Sequence, residues 1–374
     1  MTTPIETRLL KLLHYRSAGL ERGDSVGVPT VHTSAYVLPG DPQEGDYFYT
    51  RDGNPTWSAV ETQFSILEDA PVVAFPSGMG AIAAVLYACV RPGQTLLVPS
   101  DGYYVVRAFA AEQLAPWGVN VVEWPTSDYA NAPIEQADFV WLETPSNPGL
   151  DVCDIAAIAK RAKAAGAITI ADNTTLTPLL QAPLDLGVDV VASSDTKAMA
   201  GHGDVLFGHV ASRRASIIGK VKRWRKLAGS IPGPAEAVLV HRGLETLEVR
   251  LARMCETAGV IAHRLREQAG VQAVRYPGLE DDPSHALARK QMRGFGFLIA
   301  FELEGQAAAE TFLASCEGIV NATSFGSTHS SAERRARWGD DVAAGFIRLS
   351  IGLEPVEALW GEISRALAIA QAGG

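Results

Sequence analysis

The chain has 374 residues, of which 47% are hydrophobic and 20% charged, a composition typical of a globular protein with one large or two smaller domains. Its 32 basic and 42 acidic residues give a net charge of −10, which argues against general binding to nucleic acid or to anionic membranes. The four cysteines lie far apart without a CxxC pair. This disfavours a disulfide framework or a structural zinc site and is typical of a reducing compartment.

The N-terminal stretch MTTPIETRLLKLLHYRS lacks the apolar core and the cleavage site of a secretory signal. The longest apolar stretch, residues 78–90, has 13 residues and is too short to span a bilayer. We therefore expect a cytoplasmic protein without a membrane partner. Residues 1–45 are rich in turn formers and polar residues, and they predict an extended arm.

From about residue 70 to 215, short apolar runs alternate with amphipathic stretches. Helices are predicted over residues 79–90, 105–115, 154–165 and 178–186, and the strand candidates are PVVAF, TLLVP, NVVEW, DFVWLE, AITIAD, VVASS and FGHVAS. This alternation is typical of βαβ units in a parallel sheet that helices cover on both faces.

The pattern changes near residue 235. Apolar residues then recur at steps of three and four, which predicts one buried face of a long helix: Leu244, Leu247, Leu251, Met254, Ala258, Ile261 and Leu265. The strand candidates GFLIAFEL and FIRLSIGL follow. A boundary inside AGSIPGPAE divides the chain into the arm (1–45), a large α/β domain (46–232) and a smaller α+β domain (233–374).

A glycine-rich loop, SGMGAIA at 77–83, follows the first predicted strand and opens a helix. Backbone N–H groups at such a helix N-terminus bind phosphate. The string also satisfies the dinucleotide pattern G-x-G-x-x-A, with Asp101 placed 23 residues after Gly78. A nicotinamide-dependent dehydrogenase is therefore an alternative, and a tight turn without a ligand is another.

Two further strand ends carry candidate groups. Asp172 in DNTTLTP follows AITIA and can either face a ligand or begin an Asx-turn. Lys197 in SSDTKAMAGHGD follows VDVVA and can form a Schiff base, bind phosphate or lie solvated at the surface. A phosphate cradle, a carboxylate and an amine at one edge of a sheet match the needs of pyridoxal phosphate.

Nine motifs in order then carry a resemblance: YTRDGNPT (49–56), SGMGAI (77–82), SDGYY (100–104), ETPSNP (143–148), DNT (172–174), SDTKAMAGHGD (194–204), HRGLETLEVR (241–250), TSFGSTHS (323–330) and RLSIGLE (348–354). With them the chain resembles the cystathionine lyase and synthase family, the Cys/Met-metabolism group of pyridoxal-phosphate enzymes of aminotransferase fold type I. The resemblance implies a large cofactor domain with a mostly parallel sheet flanked by helices, and a smaller α+β domain.

The resemblance also implies residue roles. Lys197 bonds the cofactor and is catalytic, Asp172 pairs with the pyridine nitrogen, and Tyr103 stacks on the ring and assists proton transfer. The phosphate is held by Gly78, Met79, Ser194 and Thr196, together with Tyr49 and Arg51 of a neighbouring subunit. Arg348 grips the substrate carboxylate, with Asn147 and Ser324 nearby.

The strand-like alternation in FIRLSIGLE agrees with the last role. It places Ile347, Leu349 and Ile351 on one face and Arg348 with Ser350 on the other. A guanidinium on that second face offers a two-donor fork that suits a carboxylate.

The family resemblance implies a small sulfur amino acid as substrate and a homotetramer, a dimer of dimers with shared sites. The stretch THSSAERRARWGDD is nearest to cystathionine γ-lyase members, which cleave L-cystathionine to cysteine, 2-oxobutyrate and ammonia. Cystathionine β-lyase, methionine γ-lyase and cystathionine γ-synthase use the same residues, and a non-catalytic binding protein is a further alternative. Tyr104 and His329 depart from the family pattern, so the substrate stays open.

Overall fold

Seven strands form the larger of two β-sheets in the computed structural model, which describes residues 2–41 and 45–372. All seven strand candidates are confirmed: β1 Val72–Phe75, β2 Thr95–Pro99, β3 Asn120–Trp124, β4 Phe139–Glu143, β5 Ile168–Asp172, β6 Val190–Ser194 and β7 Gly208–Ala211. Their spatial order is β1-β7-β6-β5-β4-β2-β3. β7 runs antiparallel to both β1 and β6, while the other neighbours pair parallel. The sheet is thus mostly parallel. β7 reverses direction because a loop without a crossover helix joins it to β6.

The helices of this part are α2 Pro55–Glu68, α3 Gly78–Cys89, α4 Tyr104–Phe109, α5 Ile155–Ala165, α6 Thr177–Leu180 and α7 Ala215–Ala228. Local sequence sets their ends. Asp154 caps α5 by accepting a hydrogen bond from the Ala157 amide, and Gly166 ends it in the left-handed region. The helix expected over 178–186 is instead two short pieces, because Pro183 disfavours a helical conformation in the preceding residue.

A second sheet has the order β10-β11-β12-β9-β8. Its strands are β8 Ala273–Arg275, β9 Leu298–Glu302, β10 Val320–Asn321, β11 Ser331–Arg334 and β12 Phe346–Ser350, and its helices are α8 Pro234–Glu245, α9 Leu247–Glu267, α10 His285–Gln291, α11 Gly305–Ser315 and α12 Val356–Ala372. The apolar stripe predicted from residue 244 to residue 265 is buried throughout. The single long helix is wrong at its start: Leu244 belongs to α8, because the chain turns at Thr246 before α9 begins.

The N-terminal segment differs from the expected extended arm over its first part. IETRLLKLL forms α1 Ile5–Leu13, which buries Leu12 and Arg8. The Arg8 guanidinium donates to the carbonyl of Leu67 and to Asp185, so α1 is fastened to the large sheet's layer of helices. Four residues of the predicted arm, residue 1 and residues 42–44, lie outside the described residues. The three-part division of the chain stays a prediction, since one apolar cluster joins Phe64 and Phe207 to Leu244 and Phe297 across the expected boundary. Among the described helices, none is both long and apolar enough to cross a membrane.

The start of α3 is pressed against β7. A Cβ atom at Gly208 would lie 2.5 Å from the carbonyl oxygen of Ser77 and 2.8 Å from the Cα of Gly78. Gly208→Ala therefore requires a backbone shift, and we expect the free energy of unfolding in urea to fall by about 1–3 kcal/mol. Gly219→Ala is the matched control. It lies on the exposed face of α7 with nothing within 4 Å, and it should raise stability by roughly 0.5–1 kcal/mol. An unchanged stability of Gly208→Ala would contradict this close approach.

Candidate active site

A cavity of about 300 Å³ lies at the carboxyl ends of β4, β5 and β6 and is closed from the other side by residues that precede and lie in β12. This is the edge at which open α/β sheets bind ligands. The structure brings nine of the twelve predicted site residues into its lining: Gly78, Met79, Tyr103, Asn147, Asp172, Ser194, Lys197, Ser324 and Arg348. Thr196, Tyr49 and Arg51 do not line it.

The N-terminus of α3 forms one wall of the cavity. Ser77 caps the helix, since its side chain accepts from the Gly80 amide at 3.0 Å, and the Ala81 amide donates to the Ser77 carbonyl. The amides of Gly78 and Met79 precede these bonds and lie beside the cavity, where the helix dipole favours an anion. A Cβ at Gly78 would lie 2.5 Å from the Cβ of Ser194, so only glycine lets the helix approach β6 this closely. The arrangement suits a phosphate.

The two predicted hydroxyl donors differ in placement. Ser194 lies against Gly78 at the cavity. The Thr196 hydroxyl instead accepts from the Phe207 amide at 3.0 Å and donates to the Phe207 carbonyl at 3.3 Å, and Thr196 lines a neighbouring cavity. In this arrangement Thr196 holds the loop together, and its phosphate role stays a prediction.

Two buried carboxylates lie side by side at the ends of β4 and β5. Glu143 and Asp172 are register partners, and burial raises the pKa of both. The Asp172 charge raises the pKa of Glu143 further, whereas hydrogen bonds from Thr174 and the Lys197 charge oppose the rise at Asp172. Asp172 accepts from the Thr174 amide at 2.9 Å, which is the Asx-turn that the sequence allowed. No basic side chain of the described residues lies within ion-pair distance of Asp172. A buried carboxylate of this kind gains a partner when a protonated pyridine nitrogen binds, which fits pyridoxal phosphate.

Lys197 is partly buried at the cavity rather than solvated at the surface. Its Nζ atom donates to the Ser324 hydroxyl at 2.7 Å and lies 5.2 Å from the centre of the Phe325 ring. Burial and the nearby Arg348 charge lower the pKa of Lys197 to about 8, against the opposing effect of Asp172. A substantial fraction of the amine is therefore neutral close to physiological pH, as bond formation with an aldehyde requires.

Arg348 lies in the middle of β12 and is buried, with 3% of its surface exposed. Its Nη1 donates to Asn147 Oδ1 at 2.6 Å, and its Nη2 donates to the Ser324 carbonyl at 3.1 Å and to Glu333 at 2.5 Å. Burial lowers its pKa to about 10, so it stays charged at neutral pH. Both hydrogens of Nη2 are already used. A carboxylate would therefore meet Nη1 and the amide of Asn147 rather than a wholly free fork.

Ser324 joins the two cationic groups. Its hydroxyl accepts from Lys197, and its carbonyl accepts from Arg348. The residue has φ +80°, a left-handed conformation that costs a non-glycine residue free energy. Such strain at a site suggests a functional constraint, because it aims the hydroxyl and the carbonyl at different partners.

The aromatic residues at the cavity differ in exposure. Tyr103 is half-buried, its amide donates to Glu143 at 2.6 Å, and burial raises its pKa, so that the phenol stays protonated at neutral pH. Tyr104 packs edge-on against it with ring centres 5.5 Å apart and is exposed. Tyr49 is also exposed, and the Arg51 guanidinium lies 5.1 Å from the centre of its ring. The reach of Tyr49 and Arg51 into another subunit stays a prediction.

Sequence reasoning missed several lining residues: Glu143, Phe325, Arg335 and Trp338, as well as Glu333 behind them. Glu143 had a usable signal, because it ends the apolar run DFVWLE as Asp172 ends AITIAD. The others come together only in three dimensions. Asp101, which the dinucleotide alternative needs, accepts from the Thr126 amide and hydroxyl at 2.8 Å each and does not line the cavity.

Three features at the strand ends are typical of a pyridoxal-phosphate enzyme of fold type I. They are a partly buried lysine, a buried carboxylate with no ion-pair partner among the described residues, and a helix N-terminus that suits an anion. The chain belongs to the family of Cys/Met metabolism PLP-dependent enzymes, whose model matches residues 11–368. The resemblance carried by the nine motifs is thereby confirmed, and the nicotinamide alternative is wrong.

Relatives within the family carry different names. A Streptomyces coelicolor protein named "Putative cystathionine gamma-lyase" is 46% identical over 345 residues, covering 90% of this chain and 87% of that protein. L-methionine gamma-lyase of Pseudomonas deceptionensis is 35% identical over 386 residues, 96% of both chains. The crystal structure of cystathionine gamma synthase from Xanthomonas oryzae pv. oryzae in complex with cystathionine has a TM-score of 0.94 at 35% identity, covering 99% of this chain and 100% of that chain. These similarities fix the family and leave the reaction to be argued.

The low pKa of Lys197 predicts a pH dependence for covalent capture of pyridoxal phosphate by the apoenzyme. The neutral amine is the reactive form, so the initial rate should rise about tenfold per pH unit below pH 8 and level off above it, read from cofactor absorbance. Lys197→Ala should capture none, and Lys290→Ala, an exposed lysine paired with Asp154, should match the parent enzyme. A rate that keeps rising to pH 10 would show an ordinary lysine.

The role expected of Arg348 predicts that its removal lowers kcat/KM, because the substrate carboxylate loses its charged partner. A hydrogen bond to a charged group contributes roughly 1.5–3 kcal/mol, so Arg348→Ala should lower kcat/KM for an amino-acid substrate by about 10- to 200-fold. Arg348→Lys should restore activity only partly, and cofactor absorbance should not change. Arg253→Ala, which breaks a surface pair with Glu256, serves as control. Loss of the cofactor band, or full kcat/KM, in Arg348→Ala would refute this role.

Proposed function

We propose that the chain cleaves L-cystathionine at the bond between Cγ and sulfur, with addition of one water, to give L-cysteine, 2-oxobutyrate and ammonia. One observation supports an α-amino acid as substrate: Ser324 accepts from both the Lys197 amine and the Arg348 guanidinium. A carboxylate held at Arg348 thus lies near an amine that can act at the adjacent Cα. The 46% identity to the Streptomyces coelicolor protein favours cystathionine over other sulfur amino acids.

The described residues fit the cofactor at three places. Gly78, Met79 and Ser194 would hold the phosphate, Asp172 would pair with the ring nitrogen, and Tyr103 would lie against the ring. When bound, pyridoxal phosphate supplies an electron sink that makes the substrate Cα proton acidic. Asp172 preserves that property, because an anion beside the ring nitrogen keeps it protonated.

Lys197 is the proton carrier of the proposed reaction. Its amine would take the proton from Cα and, after giving that proton up again, would take a proton from Cβ, which allows the Cγ–S bond to break with its electron pair on sulfur. Tyr103, whose phenol is protonated at neutral pH, donates to the departing sulfur. The four-carbon fragment leaves as 2-oxobutyrate and ammonia once water has added.

We also propose a homotetramer, a dimer of dimers in which Tyr49 and Arg51 reach the phosphate of a neighbouring chain. Two facts support it. Both residues lie outside the cavity of their own chain, and Tyr49 is exposed, at 41%, on a segment that bridges to Ala35. The cytoplasmic location expected from the sequence likewise stays a prediction.

The products formed by the purified holoenzyme test the proposal. Cystathionine should give 2-oxobutyrate and cysteine in equal amounts, at a kcat/KM at least tenfold above that for methionine. Lys197→Ala is the control for cofactor-independent breakdown and should give neither product. Pyruvate as the main keto acid would indicate β-cleavage, faster release of methanethiol from methionine would indicate a methionine γ-lyase, and net formation of cystathionine from cysteine and an O-acylated homoserine would indicate a γ-synthase. Each of these results overturns the proposal.

A further inference from the structure

Glu333 is a fully buried carboxylate, at 0% exposure, in the strand next to Arg348. It is a meeting point for donors from three parts of the chain. Oε1 accepts from Arg348 Nη2 at 2.5 Å, from Arg335 Nη1 at 2.7 Å and from Thr323 Oγ1 at 3.4 Å, and Oε2 accepts from Trp338 Nε1 at 2.8 Å and Arg337 Nη2 at 3.3 Å. Both carboxylate oxygens are therefore occupied.

The backbone fixes the Glu333–Arg348 pair. The two residues are register partners across β11 and β12, so their side chains leave the sheet on the same face. Burial opposes ionisation of Glu333, but the Arg348 and Arg335 charges together lower its pKa, so it is an anion at neutral pH. A rigid strand pair thus carries a permanent ion pair at the carboxylate end of the cavity.

The charges around Glu333 do not cancel. Three guanidinium groups, those of Arg335, Arg337 and Arg348, meet two carboxylates, Glu333 and Asp340. One positive charge is left over. Of the three guanidinium groups, Arg335 is held on its other side by Asp340, and Arg337 is partly exposed. The buried Arg348 thus shares Glu333 with two other guanidinium groups, and the carboxylate of a bound ligand would add a second anion for it.

We propose that Glu333 is a positioning residue for substrate: it holds Nη2 of Arg348, so that Nη1 and Asn147 together face the substrate carboxylate. The proposal rests on the proposed function only in requiring an α-amino acid as ligand. Without the Glu333 anion, Nη2 keeps the Ser324 carbonyl alone, and the Arg348 and Arg335 guanidinium groups repel each other without an anion between them. The guanidinium of Arg348 then loses its fixed orientation.

Glu333→Gln in the holoenzyme removes the charge and keeps the shape. The probes are glycine, which has an α-carboxylate, and glycinamide, which lacks it; both are titrated against the visible absorbance of the bound cofactor. Because hydrogen bonds to charged groups are affected, the Kd of glycine should rise about tenfold or more while that of glycinamide stays within about twofold. Glu333→Asp keeps the charge and should lie between the parent and Glu333→Gln. It also carries the test if Glu333→Gln does not fold.

Two controls separate positioning from a general structural role. Glu310→Gln makes the same chemical change in a carboxylate that pairs with Arg334, the neighbour of Glu333 on β11, and it should leave both Kd values unchanged. In an Arg348→Ala background, Glu333→Gln should no longer alter the glycine Kd, because its effect passes through Arg348.

Several results would overturn the inference. They are an unchanged or lower Kd of glycine in Glu333→Gln, equal weakening of glycine and glycinamide, and a tenfold effect that persists in the Arg348→Ala background. None of these readouts depends on turnover of cystathionine. Failure of the positioning role and failure of the proposed reaction are therefore distinguishable.

Discussion

The buried ion pair between Asp195 and His209 fixes the loop on which the active site depends. The imidazole Nδ1 lies 2.9 Å from Asp195 Oδ1, and its Nε2 lies 3.2 Å from Glu68 on α2. Burial opposes a charged imidazole, but the two carboxylates raise the pKa of His209 to about 10, so the imidazole is protonated at neutral pH. Asp195 and His209 flank the connection from β6 to β7, and the pair closes that connection at its base. Lys197 lies two residues after Asp195, so this ion pair limits where the backbone of Lys197 can lie.

The same loop is held from the other side by α9. The Arg250 guanidinium donates to the carbonyls of Ala198 at 2.8 Å, Met199 at 3.2 Å and Gly243 at 2.7 Å. Gly243 itself lies against the loop, since a Cβ there would lie 2.2 Å from the Ala200 oxygen. These bonds satisfy backbone carbonyls that a buried loop would otherwise leave without donors. The loop that carries Lys197 is thus positioned by residues from both sides of it along the chain.

Local patterns in the sequence determined much of this fold, and contacts between distant segments determined the rest. Each of the seven strands of the large sheet was visible as an apolar run, and Asp172 and Lys197 were visible as polar groups at strand ends. The reversal of β7 was not, because it depends on a connection from β6 that lacks a crossover helix. The Glu333 cluster was also invisible: a register between β11 and β12 and the short turn after β11 bring its members together, and no spacing encodes that. Thr196 is the opposite case. The family resemblance implies a phosphate role for it, but its hydroxyl is hydrogen-bonded to Phe207 in the structure.

Acidic and basic side chains are separated along the cavity. Glu143 and Asp172 form an acidic end, whereas Arg348, Arg335 and Lys197 form a cationic end. Phe325 lies between two of the cations, with Lys197 Nζ 5.2 Å and the Arg348 guanidinium 5.1 Å from its ring centre. The electron-rich face of the ring attracts both groups while keeping them apart. In the proposed function, the carboxylate of an amino-acid ligand lies at Arg348, and its Cα lies near the Lys197 amine, because Ser324 contacts both groups.

That orientation limits where the rest of the substrate can lie. With the carboxylate held at Arg348 in this proposal, the side chain of the ligand would extend toward Tyr104 and Trp338, which line the cavity and are exposed. Trp338 is held there by its bond to Glu333, the anion that also holds Arg348. One buried carboxylate consequently contacts both the guanidinium proposed to bind the substrate carboxylate and an exposed aromatic residue of the cavity. In the proposed function, discrimination among sulfur amino acids would depend on these exposed aromatic residues, whereas chemistry at Cα would depend on the residues around Lys197.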